Sequence, residues 1–353
     1  MHQYISFDSH KHYTLAECMN HDGTHPRQQR IEHTPGAITA YLTGTTGGQR
    51  VAVEAIGHWY WIIEEIEAAG CVPLLVHPRK AKLMMGMINK TDKLDVHGLN
   101  RLQQNGVLPT VWIAPKELRN LRELTRLRIR SGRDRTEIKN RITATLEKFG
   151  LRVTGCSDRF GKRGRLQYPA LLEQLPDQAQ WSVESLLQRL DLLESQMKVH
   201  ETRLVELIRM TPEMQLLKTI PGIGTILSAT IALEIGEISR FPTAQQLASY
   251  AGTTPRIHSS GGKTRFGKCR PDVNRYLKWA YSEAGNSVAV NHTRLPDRHV
   301  SQQYRSLRKR KNHSVAVGAV ARHLAEATWH VLKKKNAYLD PNLQKEEGFV
   351  TPA

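Results

Sequence analysis

Residues 180–210 run for 31 positions without a glycine or a proline, and they repeat apolar side chains at helical spacing: Val183, Leu186, Leu187, Leu190, Leu193, Met197, Leu204 and Leu207. A helix of that length spans about 45 Å, so its apolar stripe needs a long partner. Acids and bases alternate between the apolar positions, as in a coiled coil, antiparallel or between subunits. At about four heptads, packing within one chain fits as well. The run divides the chain into a first half that reads as strands and helices and a second half that reads as mainly helix.

In the first half, residues 3–19 alternate apolar and polar positions (Tyr4, Ile5, Phe7, then Tyr13, Leu15), the period of strands. Residues 20–30 hold turn formers, and 30–33 start a third strand. Residues 49–54 form a short apolar run of the buried-strand type. Residues 57–69 have helical spacing with Trp61, Ile62, Ile66 and Ala69 inward. Gly70 stops that helix, and 71–76 is another buried strand. This order predicts an α/β domain with a mixed sheet.

Four acids stand out on that scaffold. Asp8 lies in the first strand, Glu54 ends another, and Asp92 and Asp95 are three apart, hence on one face if helical. Carboxylates brought together in this way repel unless a cation joins them. Mg²⁺ is the ordinary choice because it is hard and takes oxygen ligands. Two such ions about 4 Å apart serve phosphodiester chemistry. The plainer alternative is a turn cap at Asp8 and solvated helix acids at Asp92 and Asp95.

Lys and Arg total 51 against 33 Asp and Glu, a formal charge of +18, which points to a polyanionic partner, nucleic acid above all. The densest basic stretch is 115–165. There Leu118, Leu121, Leu124, Ile129, Ile138, Ile142 and Leu146 keep helical spacing between Arg119, Arg122, Arg126, Arg130, Arg133, Arg135 and Arg141. A guanidinium fork binds two phosphate oxygens, so these arginines are expected to contact nucleic-acid backbone. A Gly- and Arg-rich linker follows at 155–165.

After the long helix, Thr211-Pro212 marks a stop, and Ile220-Pro221-Gly222-Ile223-Gly224 makes a tight turn before a helix at 226–235. Such a helix-hairpin-helix turn at Gly222 and Gly224 presents free N–H groups to a phosphate. Ser259 and Ser260 then precede Gly261-Gly262, with Lys263, Arg265, Lys268 and Arg270 following. A hydroxyl on a glycine-hinged cationic loop suits attack on a phosphodiester, and equally a loop that only binds phosphate. Residues 305–332 start basic and become an amphipathic helix around Val315, Val317, Val320, Leu324 and Val331. The stretch from 336 onward reads as disordered.

Cys18, Cys71, Cys156 and Cys269 lie far apart with no CxxC pair, which fits a reducing cytoplasm. Cys18, His21 and His25 have a C-x2-H-x3-H spacing with His10 and His12 nearby, but tetrahedral zinc needs four ligands in suitable geometry and no C-x2-C half is present, so ordinary turn residues are the favoured reading. No run reaches the eighteen apolar residues of a membrane span, and the N-terminal residues lack the basic and apolar regions of a signal peptide.

FDSHK at 7–11, VAVEAIG at 51–57 and NKTDKLDVHGL at 89–99 resemble the DEDD motif of the transposases of insertion-sequence family one hundred and ten. The run from Leu247 to Ala284 resembles the transposase domain of the same family. Together the two matches cover nearly the whole chain, in the family's order. The resemblance implies an N-terminal RuvC-like (RNase H-like) domain, a coiled-coil linker and a mainly α transposase domain. It also implies a DNA recombinase guided by a structured bridge RNA. Carried over, Asp8, Glu54, Asp92 and Asp95 are the Mg²⁺-binding acids. The nucleophile that would form a covalent phosphoserine maps to Ser260, with Ser259 as the alternative. Lys263 and Arg265 would neutralise developing charge, while Lys268 and Arg275 would join the nucleic-acid contacts. Asn274, Arg275 and Leu277 resemble the start of the family's next helix. Val96-His97 and Cys269 depart from the family's commoner residues without touching acids or serine.

The implied partners are double-stranded donor and target DNA, a guide RNA, and further copies of the chain as a dimer or tetramer. In such an oligomer, acids and serine can come from different subunits. The implied setting is a bacterial or archaeal cytoplasm, at the nucleoid during reaction. The expected domains are 1–155 with the basic helices, a linker and coiled coil at 156–212, the serine domain at 213–340, and a disordered tail at 341–353. Two rivals stand beside this reading: a hydrolytic RuvC-like junction endonuclease without a covalent intermediate, and an inactive nucleic-acid-binding protein.

Overall fold

A computed structural model of the chain describes residues 3–45, 48–86 and 91–343. Asn89 and Lys90 of the NKTDKLDVHGL motif, and the tail from 344 onward, lie outside the described residues. The chain forms two compact units, 1–114 and 115–353. The boundary expected at 155 thus falls at Ala114/Pro115, and the long basic helix groups with the second unit.

The first unit is built on β1 (Gln3–Ser9), β2 (Tyr13–Asn20), β3 (Arg27–Glu32), α1 (Ala37–Thr43), β4 (Arg50–Glu54), α2 (Trp59–Ala68), β5 (Val72–Val76), α3 (Pro78–Met85) and α4 (Asp92–Gln104). Its five strands order β3-β2-β1-β4-β5, antiparallel across β3-β2-β1 and parallel across β1-β4-β5. The mixed sheet read from the sequence is therefore present. Both faces of central β4 are covered, which is why Val51, Ala52 and Val53 form a fully buried apolar run, whereas β5 lies at the sheet edge and leaves Val72 exposed. Ile5, Phe7, Val51 and Val53 pack with α1 and α2 on one face. Ala52 and Val76 pack with Leu99 and Leu102 of α4 on the other.

The α4 face also buries polar groups. Glu17 of β2 is fully buried; His97 Nδ1 lies 3.0 Å from its Oε1, Asn100 Nδ2 donates to the same oxygen at 3.0 Å, and Gln28 Nε2 donates to Oε2 at 2.7 Å. A buried carboxylate is tolerated when its oxygens are satisfied in this way. His97, where the sequence departs from the resembled family, thus has a partner inside the sheet.

The second unit comprises α5 (Lys116–Lys148), α6 (Lys162–Arg165), α7 (Tyr168–Leu172), α8 (Asp177–Leu207), α9 (Pro212–Leu217), α10 (Thr225–Ile235), a 3-10 turn (Ile238–Arg240), α11 (Ala244–Tyr250), the strands β6 (Pro255–Ser260) and β7 (Lys263–Cys269), α12 (Arg275–Asn291), α13 (His299–Arg308) and α14 (His313–Lys334). Helices α5 and α8 pair antiparallel. Arg128 meets Glu201 at 2.6 Å and Lys139 meets Glu194 at 3.2 Å, while Ile142 and Leu146 share a core with Val183, Leu187 and Leu190. The long helix therefore finds its partner within the chain.

Residues 155–165, expected to be a linker, are packed: Phe160 sits against that core, and a Cβ on Gly164 would stand 2.2 Å from Arg159 O. Helices α11, α12 and α14 form the main core around Tyr281, which is completely buried. Beyond α14 the chain stays seated, since Tyr338 N donates to Thr219 Oγ1 at 2.8 Å and buried Asp340 accepts from His299 N at 3.1 Å. The expected disorder from 336 thus does not apply as far as Leu343.

Candidate active site and nucleic-acid interface

In the first unit, strand register sets the carboxylates. Ser6 pairs with Ala52 across parallel β1 and β4, so Asp8 and Glu54, two residues further along each strand, project from the α4 face at neighbouring strand ends. Thr91 caps α4 by accepting from Leu94 N at 3.3 Å, which starts the helix at Asp92 and puts Asp92 and Asp95 in its first turn. Acids are favoured at a helix N-terminus whatever else they do.

The structure brings together Asp8, Asp92 and His10. Each offers one ligand atom, and the three atoms lie within 4.8 Å of one another. His10 Nε2 is 3.3 Å from Asp8 Oδ2 and 3.1 Å from Asp92 Oδ2. That nitrogen is enclosed, yet it forms an aligned hydrogen bond with neither oxygen. Glu54 and Asp95 do not join this group. Glu54 lies on the same sheet face and Asp95 one turn along the same helix.

Tyr13 OH donates to Asp92 Oδ2 at 3.1 Å, and its ring lies 4.6 Å from that of His10. Burial, then the Asp92 bond, pushes the Tyr13 phenol up, which keeps it a donor. Arg30 stands 3.7 Å from the centre of the same ring. Two carboxylates and an imidazole nitrogen form a chemically sensible set for a divalent cation. An enclosed nitrogen between two acids, without a hydrogen bond of its own, fits that use. Cys18 and His21, by contrast, belong to a strand and the turn after it, and no such ligand group forms there among the described residues.

In the second unit, the serine doublet lies in a β-hairpin rather than a hinged loop. Gly261 and Gly262 take φ of +55° and +73°, the two-residue turn whose positive angles favour glycine, and Ser260 pairs with Lys263 across it. Directly opposed residues share a face, so Ser260 and His258 stand with Lys263 and Arg265, while Ser259 and Ile257 stand with Thr264 and Phe266. Ser259 Oγ lies 3.5 Å from Thr264 Oγ1. The hairpin is exposed along its length, including Ile257 and Phe266, and among the described residues its strands pair only with each other. Lys268 and Arg275 are also exposed.

The arginines of α5 divide into two groups. Arg119 and Arg122 are buried, and Arg122 donates to the carbonyls of Leu233 and Glu234 at 2.8 and 3.0 Å. Arg126 grips the Glu234 carboxylate with two nitrogens, at 2.7 and 3.1 Å. Glu234 is fully buried. Burial lowers the pKa of the Arg122 guanidinium, and the Glu234 charge opposes that. All three were expected at a nucleic-acid surface; instead Arg119 is buried, and Arg122 and half-buried Arg126 are turned to the buried carboxylate on α10, which needs cations.

Arg130, Arg133 and Arg141 are exposed and Arg135 is half-buried; Arg141 pairs with Glu137 and Arg130 reaches Tyr276 OH at 3.2 Å. Arg133 and Arg135 line a groove of about 850 Å³ with Gly222, Gly224, Thr225 and Trp279. Gly222 has φ +80°, and a Cβ there would meet Ala284 O at 2.4 Å, so only glycine lets this turn lie against α12. Gly224 then leads into α10, whose first residues, Thr225, Ile226 and Leu227, line the groove.

No helix among the described residues is long and apolar enough to cross a membrane. The family model for IS110 DEDD transposases matches residues 5–150, and that described as "Transposase IS116/IS110/IS902 family" matches 214–304. A "Probable family 20 transposase" of Pseudomonas aeruginosa is 27% identical over 299 residues, covering 82% of this chain and 85% of its own. The "Transposase for insertion sequence element IS1111A" of Coxiella burnetii is 23% identical, covering 82% of this chain and 79% of its own. The "Pilin gene-inverting protein" of Moraxella bovis is 30% identical over 228 residues, 61% of this chain and 59% of its own. With acids in a mixed-sheet unit and a serine hairpin in a helical one, each matched by a model of the same family, this chain belongs to the IS110 family of DEDD transposases and is an enzyme that acts on DNA.

Proposed function

We propose that this transposase cuts and rejoins DNA through a covalent phosphoserine at Ser260, with a RuvC-like carboxylate centre holding a divalent ion, Mg²⁺ in the simplest case. The observation that supports this most is the sidedness of the hairpin: Ser260 shares its face with Lys263 and Arg265, whereas Ser259 sits with Thr264 and Phe266. Ser260 Oγ attacks a backbone phosphorus. The O–P bond forms as the bond from phosphorus to the 3′ oxygen breaks; the hydroxyl proton leaves to solvent and the departing oxygen takes one up. The phosphoserine keeps the bond energy for rejoining to another strand. Lys263 and Arg265 offset the charge that grows on the free phosphate oxygens.

Asp8, Glu54, Asp92 and Asp95 would hold the ion. A bound divalent cation supplies Lewis-acid polarisation of the phosphate and stabilises the leaving oxygen. Arg130, Arg133 and Arg135, with the turn at Gly222 and Gly224, hold nucleic-acid backbone, and Lys268 and Arg275 extend that surface beside the hairpin. A structured guide RNA supplies sequence reading by pairing, and the chain works as a homo-oligomer. The name of the pilin gene-inverting relatives describes DNA inversion, an outcome that needs strands to be rejoined as well as cut.

One observation favours a second reading, hydrolysis by the carboxylate centre alone: Ser260 Oγ makes no hydrogen bond to a base among the described residues. The test is to incubate the protein with its element-end DNA, Mg²⁺ and RNA from the element's non-coding flank. An adduct that survives denaturation is expected at Ser260 by mass spectrometry, retained in Ser259→Ala and lost in Ser260→Ala. Loss of the adduct on omitting RNA supports guidance. Cut DNA with no adduct would establish hydrolysis instead.

A further inference from the structure

We infer that His10 is a resident ligand of the divalent ion, and that its nitrogen makes this centre prefer a transition ion such as Mn²⁺ over Mg²⁺. The inference rests on the reading of the carboxylates as an ion-binding centre, and it adds a ligand and a selectivity to that reading.

Three observations support it. First, the spacing is that of neighbouring ligands. Donor atoms about 2.1 Å from an ion, at right angles to one another, stand about 3 Å apart, and His10 Nε2 is 3.1 and 3.3 Å from the two carboxylate oxygens. Second, Nε2 is enclosed and makes no aligned hydrogen bond, so its lone pair is not committed to a protein donor. A histidine placed there only to pair with the acids would be expected to point an N–H along the line to one of them.

Third, the ring is held in place. His10 N donates to Tyr13 O at 2.8 Å, the Tyr13 ring lies 4.6 Å away, and Tyr13 OH ties the same arrangement to Asp92. A ligand fixed before the ion arrives loses less freedom on binding. Mg²⁺ is hard and prefers an all-oxygen shell, whereas Mn²⁺ accepts carboxylate and imidazole together. A nitrogen in the shell therefore tilts the choice toward Mn²⁺.

The test uses the full chain with Mn²⁺ alone as the probe. Binding is followed by loss of the free-ion paramagnetic resonance signal, and the bound ion is examined by pulsed resonance for coupling to ring nitrogen. The expected result is a nitrogen coupling in the unaltered protein that disappears in His10→Asn, in His10→Gln and in Asp8→Asn. Mn²⁺ binding should weaken about tenfold or more in the two His10 variants, while Mg²⁺, measured by competition, shifts less than about threefold.

The coupling is read on the unaltered chain, so it decides the matter even where a variant does not fold. Mn²⁺ binding that Asp8→Asn abolishes, but that shows no nitrogen coupling and is unchanged in His10→Gln, overturns the role of His10 and leaves the carboxylate centre standing. Binding of neither ion altered by Asp8→Asn overturns the centre itself.

Discussion

Asn274 Nδ2 donates to Glu234 Oε2 at 2.8 Å while its own Oδ1 accepts from Tyr276 N and Leu277 N at 3.0 Å. One side chain thus caps α12, the helix entered from the serine hairpin, and anchors that cap to the carboxylate gripped by Arg126. Removing the charge should therefore loosen more than one helix. Glu234→Gln leaves Arg122 and Arg126 without their counter-charge in a buried place, and a loss of about 3–5 kcal/mol is expected. Asn274→Ala, which removes a cap and one hydrogen bond, should cost about 1–2 kcal/mol. Denaturant midpoints of the three proteins test this; equal stability of Glu234→Gln and the unaltered chain would show that the network contributes nothing.

The turn at Ile220–Gly224 offers a sharper contrast. Gly222→Ala meets both a positive φ and a carbonyl oxygen 2.4 Å from the new carbon, whereas a Cβ on Gly224 has open space within 4 Å. Gly222→Ala is expected to lose about 2–3 kcal/mol and to displace the turn. Gly224→Ala should lose about 1 kcal/mol or less, as at a helix cap. Thermal unfolding separates the two, and nucleic-acid binding by the folded Gly224→Ala protein then reports on the turn's surface.

Most elements were legible in the sequence because their signals are local. The strands at residues 3–19 and 71–76, the stop at Gly70 and the long run at 180–210 all form where spacing predicts. The carboxylates were legible one by one, from strand ends and a helix start. His10 stood out only as a histidine near the Cys18, His21 and His25 spacing, not as a partner of the acids, because Asp92 is far along the chain. The roles of Arg122 and Arg126 were hidden for the same reason: Glu234 lies 108 residues from Arg126 and 112 from Arg122. Charge density alone cannot separate a solvated arginine from one that neutralises a buried acid. The hairpin, in contrast, was open to reading, since Gly-Gly between alternating residues is a two-residue turn signal.

Acid sensitivity is expected of the helical unit. Burial, with the neighbouring His299, lowers the pKa of His323, while Glu326 and Asp340 oppose that shift. In the unfolded chain this imidazole titrates near its ordinary value of about 6.5. The unfolded state therefore takes up a proton at a pH where the folded state does not. Stability from this group is full above that value and declines as the pH falls through it toward the lower folded pKa. Thermal midpoints between about pH 7.5 and 5.5 should fall less in His323→Gln than in the unaltered protein; parallel curves would remove His323 as the cause.

The arginines of α5 should separate in a salt titration. Arg133 and Arg135 border the groove with Gly222 and Gly224 and sit at least partly in solvent. Removing one cation from a phosphate lowers the slope of log binding constant against log salt by about one. Arg133→Ala and Arg135→Ala are therefore expected to flatten the slope, singly and additively, while leaving unfolding midpoints nearly unchanged. Arg122→Ala should do the reverse, because its guanidinium serves Leu233, Glu234 and the protein interior. It is expected to lower stability by about 3–5 kcal/mol and to leave the salt slope of the remaining folded protein unaltered. Salt slopes that respond equally to all three substitutions would mean that the groove does not hold the nucleic-acid backbone, and that the basic character of α5 acts only through the overall charge of the chain.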